Sequence, residues 1–319
     1  MRRIAVLTSG GDAPGMNAAI RAVVRRGIEN HLDVFGVERG YEGVVNNDFI
    51  PMTRRSVSGV IAHGGTTIKT ARSEAFMTHG GFLQAVENLQ DNNVDTLVII
   101  GGDGSMAGAC KLSEAGIKTM VIPATIDNDM CGTDYTIGFD TALNTVLDAV
   151  FKIRDTAASH ERVAIVEVMG RTAGHIALQS GLACGAEVIM VPEHPMDIDE
   201  LCQQLNESHS RGKQYSMIML AEGAGKGFDL ADQINKRTSY NPHVTVLGYI
   251  QRGGAPSAFD NIMATRMGAL AVDAVLAGDT DRLVACRDAK LITVPYQEAF
   301  ACKRNLDTDL YRLARDLSI

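Results

Sequence analysis

The sequence predicts an α/β protein of two domains, each built on a mostly parallel sheet of the doubly wound kind. Short runs rich in valine and isoleucine alternate with segments of helical periodicity almost throughout the 319 residues. The runs are apolar on both faces, as strands covered by helices on both sides are. The chain is also longer than one hydrophobic core usually supports, so two domains are expected.

The first strand and helix are predicted at the start of the chain. The run RIAVL, residues 3–7, predicts a strand, and the glycine-rich loop SGGDAPG follows at residues 9–15. The next segment, MNAAIRAVVRRGIEN, predicts a helix because Met16, Ile20 and Ile28 share one face with Val23 or Val24.

The same order of strand, glycine-rich loop and helix recurs twice. It reads VDTLVII, GGDGS and MAGACKLSEAG from residue 94, and VAIVEVM, GRTAGH and IALQSGLACG from residue 163. Further strands are predicted at EVIMVP, SMIML and HVTVLGYI, and further helices over roughly residues 197–211, 229–237 and 260–277. No Pro/Gly/Ser-rich linker is present, so the chain is expected to cross between its domains within ordinary loops.

Composition excludes several classes of function. Thirty Lys and Arg against 38 Asp and Glu give a net charge of −8, which argues against a nucleic-acid surface and an anionic-membrane surface. The six cysteines are scattered without a CxxC pair, so neither a zinc site nor a disulfide framework is expected, which suits a reducing cytosol. No apolar run approaches the length of a signal-peptide core or a membrane span. We therefore expect a soluble, cytoplasmic protein with neither nucleic acid nor membrane as a partner.

Three glycine-rich loops follow predicted strands, at Ser9–Gly15, Gly101–Ser105 and Gly170–Gly174. In doubly wound sheets, ligands bind beyond the carboxyl ends of the strands. Glycine lets backbone N–H groups approach an anion closely, and a helix N-terminus adds its dipole. One such loop is more simply an ordinary tight turn, but three in equivalent positions indicate phosphate binding. Asp103, between two glycines, is a candidate for holding a metal ion beside a phosphate chain.

The run VIPATIDNDM places Asp127 and Asp129 directly after a predicted buried strand. The two carboxylates could simply cap the next element. Alternatively, one accepts a proton while the other orients a cation or a substrate hydroxyl. Phosphoryl transfer to an alcohol needs mainly positioning and charge neutralisation, with an aspartate taking the hydroxyl proton. Arginines suited to phosphate oxygens lie near predicted strand ends or loops, namely Arg72, Arg162, Arg171 and Arg252.

Other nucleotide and nucleophile motifs fit less well. The run LAEGAGKG resembles a P-loop, but Lys226 is followed by Gly227 rather than Ser or Thr, and Leu220 stands at the first glycine. No GxSxG elbow occurs. GDGSMAG spaces its last glycine one residue too far for the dinucleotide fingerprint. A nicotinamide-dependent dehydrogenase remains an alternative.

A second anion site is indicated by Arg21 and Arg25, four residues apart on one helix face. A like-charged pair at this spacing costs about 0.2–0.5 kcal/mol. A solvated basic face tolerates this, but an anion site explains it better. Further candidates for that site are Arg54, Arg154, Arg211 and Lys213.

The sequence resembles the bacterial ATP-dependent 6-phosphofructokinases over essentially its whole length. The resemblance rests on TSGGDAPGMNA, GGDGS, TIDND, GTDYTIGFDTA, RDTAASH, VMGR and IQRGG. It implies two Rossmann-like domains, an ATP-binding domain over residues 1–138 and 251–301 and a sugar-phosphate-binding domain over residues 139–250 and 302–319. It implies phosphoryl transfer from ATP, with Mg²⁺, to the 1-hydroxyl of fructose 6-phosphate. It also implies a homotetramer with shared sites and a nucleoside diphosphate or phosphorylated metabolite as effector.

The resemblance also implies a role for each matching residue. The catalytic set is Asp127 as the base with Arg171, Thr125 and Gly11. The ATP-binding set is Gly11, Tyr41, Arg72, Ser73, Gly102, Asp103, Gly104, Ser105 and Gly108, with Asp103 as the Mg²⁺ ligand. The sugar-phosphate set is Thr125, Asp127, Asp129, Arg162, Met169, Gly170, Arg171, Glu222, His243, Tyr249 and Arg252. The effector set is Arg21, Arg25, Arg54, Arg154, Gly185, Glu187, Arg211 and Lys213.

Several positions depart from the family pattern. Ser73 replaces a cysteine at the nucleotide site, and Tyr215 replaces a histidine at the effector site. His243 replaces an arginine and Tyr249 a histidine, both at the sugar 6-phosphate. A kinase for another ketose phosphate is therefore an alternative, as is a non-catalytic nucleotide or metabolite sensor on the same scaffold.

Two small residues bear on the phosphoryl donor. Ala124 stands where the family has glycine and where its pyrophosphate-using relatives have lysine. Those relatives have aspartate at the position of Gly104. Because both residues are small and uncharged here, the sequence favours ATP as the donor.

Overall fold

The computed structural model describes residues 2–301 and 304–317. Its strands are β1 Arg3–Ser9, β2 Asp33–Val37, β3 Phe49–Pro51, β4 Thr96–Gly101, β5 Thr119–Pro123, β6 Val163–Val168, β7 Val188–Met190, β8 Ser216–Ala221, β9 His243–Val246, β10 Arg282–Arg287 and β11 Lys290–Pro295. Its α-helices are α1 Met16–Glu29, α2 Tyr41–Asn46, α3 Glu74–Met77, α4 His79–Asp91, α5 Asp103–Glu114, α6 Phe139–Ser159, α7 His175–Cys184, α8 Ile198–Ser210, α9 Gly227–Arg237, α10 Ala258–Ala277, α11 Tyr296–Phe300 and α12 Thr308–Leu317. Short 3₁₀ helices cover Val60–Ala62 and Gly248–Arg252.

The chain divides into two compact units. Unit 1 comprises residues 1–140 and 252–304, and unit 2 comprises residues 141–251 and 305–319. The chain therefore passes between the units three times, at positions close to the boundaries that the resemblance implies. Each crossing lies in an ordinary connection or helix end, which explains why no linker composition marks it.

Unit 1 is built on a seven-stranded sheet in the order β11-β10-β5-β4-β1-β2-β3. The five inner strands run parallel, and only the edge strands β3 and β11 pair antiparallel with their neighbours. Every residue of β4 and β5 is buried, as expected for strands with helices on both faces. The prediction of a mostly parallel α/β sheet is confirmed.

Unit 2 contains a four-stranded sheet in the order β7-β8-β6-β9, in which all three pairings are parallel. Its central strands β6 and β8 are buried at all six positions each. Its core contains Ile165, Ile218 and Leu220 of these strands together with Leu201 and Ile234 of the covering helices.

Two predicted elements differ from the structure by three or more residues at one end. Helix α5 begins at Asp103 rather than at Met106, so three of the five residues of the GGDGS loop are already helical. A carboxylate in the first turn interacts favourably with the helix dipole, which explains the earlier start. The predicted strand HVTVLGYI ends at Val246, and a 3₁₀ helix follows from Gly248. Gly248 has φ of 52°, a left-handed conformation that interrupts an extended strand.

The cysteines only partly match the expectation of six unpaired thiols. Cys110, Cys184, Cys202 and Cys286 are free, but Cys131 is disulfide-bonded, so the expectation is wrong at Cys131. Residues distant in sequence can become neighbours on folding, and spacing alone therefore could not reveal this bond. Cys302 lies outside the described residues. Within the described parts of the chain, no helix combines the length and the apolar character needed to cross a membrane.

Helices α1 and α10 pack closely at Gly268. A Cβ at this position would lie 2.7 Å from the carbonyl oxygen of Ala19 and 2.8 Å from the Cβ of Ala22. These distances are far below van der Waals contact, so any larger residue must push the two helices apart. Gly80 in α4 has nothing within 4 Å of its Cβ position and offers a matched comparison.

Gly268→Ala is expected to lower the free energy of unfolding by about 1–3 kcal/mol, because overpacking displaces α1 from α10. Gly80→Ala should instead raise it by about 0.5–1 kcal/mol, because alanine loses less backbone entropy in a helix than glycine does. Denaturant unfolding of both variants measures the difference. Equal effects of the two substitutions would mean that the α1–α10 contact is not tightly packed.

Candidate active site

Three loops converge at the carboxyl edge of the unit 1 sheet. Strands β5, β4 and β1 are neighbours, with Gly101 opposite Pro123 on one side and opposite Ser9 on the other. The loops that follow these strands therefore start side by side. Ser105 Oγ donates a hydrogen bond of 3.1 Å to the carbonyl oxygen of Ser9, which joins two of the loops directly. The first two glycine-rich loops and the aspartate-containing turn therefore lie close together within unit 1.

The loop after β1 approaches Arg252 closely. A Cβ on Gly11 would lie 3.2 Å from Nη1 and 3.3 Å from Cζ of Arg252. A side chain at Gly11 would therefore make the Arg252 guanidinium move by a few tenths of an ångström. Gly15 has φ of 102° and lies against Ile137, so the loop needs glycine for conformational reasons as well.

The loop after β4 presents an open surface. Asp103 and Gly104 are exposed in the first turn of α5, and nothing lies within 4 Å of a Cβ at Gly104. Gly102 lies beside the turn after β5, because a Cβ there would be 3.7 Å from the Cβ of Thr125. The N-terminus of α5 and the aspartate-containing turn are therefore neighbours. Among residues 2–301 and 304–317, no group of three or more His, Cys, Asp or Glu side chains is arranged to hold a metal ion.

Tyr41 supports the start of α5, directly after β4. Its hydroxyl donates a hydrogen bond of 2.6 Å to the carbonyl oxygen of Ser105, and its ring stacks on Phe76 at a centroid distance of 4.3 Å. Burial raises the pKa of the Tyr41 phenol well above its usual range, so the group stays a neutral donor. Gly108 must lack a side chain here, since a Cβ would lie 2.7 Å from the tyrosine ring.

The hydroxyl of Ser73 makes two hydrogen bonds to other residues of the protein. It donates a hydrogen bond of 2.5 Å to Glu42 Oε2 and accepts one of 3.1 Å from the backbone N–H of Phe76, which caps α3. The neighbouring Arg72 is exposed. Serine can make both of these bonds well, whereas a thiol is a weaker donor and acceptor.

The turn after β5 buries its central aspartate. Asp127 is 4% exposed, and its backbone N–H donates a hydrogen bond of 3.2 Å to Thr125 Oγ1. Asp129 is partly buried. Ala124 is 1% exposed and its N–H donates to the carbonyl oxygen of Gly101 at 2.9 Å. Ala124 is not among the residues with positive φ, so its methyl group causes no left-handed strain.

The carboxyl edge of the unit 2 sheet carries a second group of expected site residues. Met169, Gly170 and Arg171 follow β6, and Glu222 follows the neighbouring strand β8. Arg171 has φ of 53°, which costs a non-glycine residue about 1–2 kcal/mol. Its N–H donates a hydrogen bond of 2.9 Å to Glu222 Oε1, which holds the strained residue in place. A Cβ on Gly223 would lie 2.3 Å from the Arg171 carbonyl oxygen.

Gln251 is a functional candidate that the sequence did not single out. It is fully buried, its Oε1 accepts from the N–H of Met169 at 3.2 Å, and its Nε2 donates to the carbonyl oxygen of Gly248 at 3.0 Å. It thus fixes the end of β6 to the 3₁₀ helix that carries Tyr249. The IQRGG motif contains this glutamine, but a motif does not show which side chains point inward.

Arg162 and His243 lie at the opposite, amino edge of the same sheet. Arg162 precedes β6, and His243 begins β9, where it pairs with Ala164. Six residues of extended strand separate Arg162 from Met169, a distance of roughly 20 Å at about 3.3 Å per residue. Within one chain, the structure therefore does not bring Arg162 and His243 together with Arg171 and Glu222.

The expected effector residues fall into one group in each unit. In unit 1, Arg21 and Arg25 lie on α1 without an ion-pair partner among the described residues, and Arg54 pairs with Glu29. In unit 2, the buried Glu187 pairs with Lys213 at 3.0 Å, and the Arg154 guanidinium donates to the carbonyl oxygens of Cys184 and Gly185. Arg211 is exposed beside them at the end of α8.

In the P-loop-like run LAEGAGKG, a carboxylate of the protein itself occupies the place where a phosphate would bind. The N-terminus of α9, where a phosphate would lie, receives the buried carboxylate of Glu167, which accepts from the N–H of Gly227 at 2.7 Å. Lys226 pairs with the same carboxylate at 3.5 Å. The run therefore stabilises unit 2 and leaves no room for a phosphate.

Comparison with known proteins identifies the family. The phosphofructokinase family model matches residues 3–275. A protein named ATP-dependent 6-phosphofructokinase from Brevibacillus brevis is 53% identical over 319 residues, all of both chains. One of the same name from Clostridium tetani is 54% identical over 318 residues, again with full coverage of both. The chain belongs to the phosphofructokinase family, as the sequence motifs predict.

A solved structure of phosphofructokinase from Saccharomyces cerevisiae has the same fold. It superposes with a TM-score of 0.87 at 36% identity over the whole of this chain. This chain covers 48% of the length of the yeast chain.

Proposed function

We propose that this protein transfers the γ-phosphoryl group of ATP to the 1-hydroxyl of fructose 6-phosphate, which gives fructose 1,6-bisphosphate and ADP, a reaction of glycolysis. The observation that carries the proposal is the turn of Asp127 beside the exposed N-terminus of α5, in a chain of the phosphofructokinase family. A proton acceptor and a phosphate-binding loop must be adjacent for this chemistry.

Asp127 acts as the base. Its carboxylate takes the proton of the 1-hydroxyl as the sugar oxygen forms its bond to the γ-phosphorus, and the bond from that phosphorus to the ADP oxygen breaks. Arg171, Thr125 and Gly11 assist by binding the phosphoryl oxygens. Charge-assisted donors aimed at the developing charge are the main source of acceleration in such reactions.

ATP is bound by the loops of unit 1. The open space at Gly104 and the N-terminus of α5 suit the phosphate chain, since backbone N–H groups and the helix dipole attract anions. Arg72, Ser73 and Tyr41 lie on the nucleotide side, with Ser73 and Tyr41 acting through the loops they support.

Asp103 would hold Mg²⁺. Its exposed carboxylate lies in the first turn of α5. This donor fits Mg²⁺, which commonly uses one or two carboxylates and completes its shell with water and substrate phosphates. When bound, the ion neutralises charge on the phosphoryl oxygens.

The sugar phosphate binds at the carboxyl edge of unit 2 through Met169, Gly170, Arg171 and Glu222. Arg162 and His243 lie at the amino edge of the same sheet, too far along β6 to serve this site in their own chain. The 6-phosphate would therefore be held by Arg162 and His243 of a second copy. This requirement supports the homotetramer implied by the family.

We assign the enzyme to the cytoplasm, where reducing conditions suit the four free cysteines among the described residues. A nucleoside diphosphate or small phosphorylated metabolite is its effector. The candidate effector-binding groups are the arginines of α1 in unit 1 and, separately, Arg154, Glu187 and Lys213 in unit 2.

With fructose 6-phosphate as acceptor, ATP with Mg²⁺ is expected to support turnover and pyrophosphate is not. The buried methyl of Ala124 and the uncharged Gly104 provide no charged group for a pyrophosphate-specific site. Initial rates of ADP or phosphate release with both donors, against a panel of ketose phosphates, test this. Equal turnover with pyrophosphate contradicts the donor assignment. Faster turnover of another ketose phosphate contradicts the acceptor, and no turnover at all favours a sensor.

Asp127→Asn is expected to lower kcat by about 10²–10⁴ while the KM values change little, since a general base contributes about that factor. Asp91→Asn, an exposed position at the end of α4, serves as the control and should be silent. Steady-state kinetics with both substrates and a melting curve separate lost chemistry from lost folding. An Asp127→Asn enzyme with near-normal kcat excludes Asp127 as the base.

Arg21→Ala combined with Arg25→Ala is expected to abolish any effect of GDP on the fructose 6-phosphate saturation curve, with kcat at saturation unchanged. The two arginines have no described ion-pair partner, so a bound anion would relieve the repulsion between them. Arg26→Ala on the same helix is the matched control, since Arg26 already pairs with Asp273 at 2.7 Å. Saturation curves with and without GDP measure this. A response that persists in the double variant assigns the site elsewhere.

His243→Arg is expected to lower KM for fructose 6-phosphate about 5–30-fold at pH 8, because a charge-assisted bond to phosphate contributes about 1–2 kcal/mol more than a neutral one. His79→Arg, at an exposed histidine of unit 1, controls for added charge. An unchanged KM in His243→Arg would show that His243 does not reach the phosphate.

A further inference from the structure

The turn that carries Asp127 is tied to residues 133–137 on both sides of the aspartate. Before it, the N–H of Ile137 donates to the carbonyl oxygen of Pro123 at 3.0 Å. The hydroxyl of Thr136 then donates to the carbonyl oxygen of Thr125 at 2.6 Å. After it, Asn128 bonds to the same segment through its side chain. Asp127 thus lies between two anchored residues.

Asn128 makes the anchor on the far side. Its Oδ1 accepts from the N–H of Thr136 at 2.9 Å, and its Nδ2 donates to the carbonyl oxygen of Asp134 at 3.3 Å. The residue is fully buried and has φ of 50°, a left-handed conformation that asparagine tolerates better than most residues. The chain therefore reverses directly after Asp127, and the amide of Asn128 holds that reversal.

Thr136 takes part in the hydrogen bonds on both sides of Asp127. Its hydroxyl lies 2.6 Å from the carbonyl oxygen of Thr125 and 3.3 Å from Asn128 Oδ1. A hydroxyl has one proton, so the shorter contact to Thr125 takes it. At 1% exposure, no bulk water replaces this bond if the hydroxyl is removed.

The segment that holds the turn is itself fixed to the sheet. The N–H of Asp134 donates to the carbonyl oxygen of Cys286 at 2.7 Å, and the N–H of Cys286 donates to Thr133 Oγ1 at 3.0 Å. The N–H of Asp288 donates to Asp134 Oδ2 at 2.8 Å, and the Arg304 guanidinium donates to the carbonyl oxygens of Thr133 and Asp134. These hydrogen bonds therefore hold the turn in position relative to strand β10.

We infer that Thr136 and Asn128 are positioning residues that fix the Asp127 carboxylate for proton transfer. The inference rests on the proposed role of Asp127 as the base. A base must be held in hydrogen-bonding geometry with the proton it removes, and a misplacement of about 1 Å can cost roughly a hundredfold in rate. The two side chains touch neither substrate in this scheme and act through the backbone on either side of Asp127.

The test compares Thr136→Val with Thr136→Ser and with Thr119→Val. Valine keeps the shape of threonine but removes the hydroxyl, and serine keeps the hydroxyl. Thr119 is an equally buried threonine at the other end of β5, where its hydroxyl bonds to Tyr296 at 2.8 Å. Thr119→Val therefore costs a buried hydrogen bond without touching the turn.

Thr136→Val is expected to lower kcat at least about tenfold with both KM values within about threefold of wild type. Thr136→Ser should keep kcat within about threefold, and Thr119→Val should lower the melting temperature but not kcat. Near-normal kcat in Thr136→Val overturns the inference, and so does an equal loss of kcat in Thr119→Val. If Thr136→Val does not fold, Asn128→Gly replaces it, because glycine keeps the left-handed backbone and removes only the amide. Near-normal kcat in Asn128→Gly would then overturn the inference.

A second measurement does not depend on turnover. Amide hydrogen exchange in the peptide that spans residues 124–130 should accelerate in Thr136→Val and Asn128→Gly but not in Thr119→Val. Unchanged exchange in the first two variants overturns the anchoring. If wild-type protein shows no kinase activity while exchange responds as expected, the proposed function fails and the anchoring stands.

Discussion

The parallel hydrogen-bond ladder that joins β5, β4 and β1 is the constraint on which the unit 1 site depends. Parallel strands start their carboxyl-terminal loops at a common edge, and the register of Ser9, Gly101 and Pro123 aligns these three ends. The glycine-rich loops proposed to bind the ATP phosphates, and the turn of Asp127, owe their proximity to that alignment. The strands are buried on both faces, so a slip of their register would disrupt the close packing of side chains on both sides of the sheet.

The common direction of the parallel strands also separates the candidate site residues of unit 2 into two groups. Strands β6, β8 and β9 run in one direction, so Arg171 and Glu222 lie at one edge while Arg162 and His243 lie at the other. A strand is a rigid spacer, and no loop movement brings the two edges together in one chain. A site that uses both groups must therefore be assembled from two copies. In the proposed function, substrate binding therefore requires a second copy of the chain.

The N-termini of helices α5 and α9 differ in whether a group of the protein occupies them. The N-terminus of α5 is left open beside Gly104, whereas the N-terminus of α9 is filled by the carboxylate of Glu167. Both helices attract negative charge for the same reason, namely their unpaired N–H groups and dipole. Such a terminus is available to a ligand only where no side chain of a neighbouring strand occupies it, as Glu167 of β6 does at α9.

Backbone strain also differs between the two candidate sites, since Arg171 has a left-handed conformation and Ala124 does not.

The sequence by itself determined the fold class, the family and the set of candidate site residues. Buried parallel strands need valine and isoleucine on both faces, and close approaches between backbone segments need glycine. These features depend on a few neighbouring residues, so they can be recognised in runs such as RIAVL, GGDGS or TIDND. Only the tertiary structure decided that Glu167 fills the P-loop-like run, that Arg162 and Arg171 lie at opposite edges of one sheet, and that Thr136 and Asn128 hold the turn of Asp127. Each of these depends on contacts between residues apart in sequence, or on which end of a strand a residue occupies. Composition and spacing carry no information about such contacts, because they form only when the chain has folded.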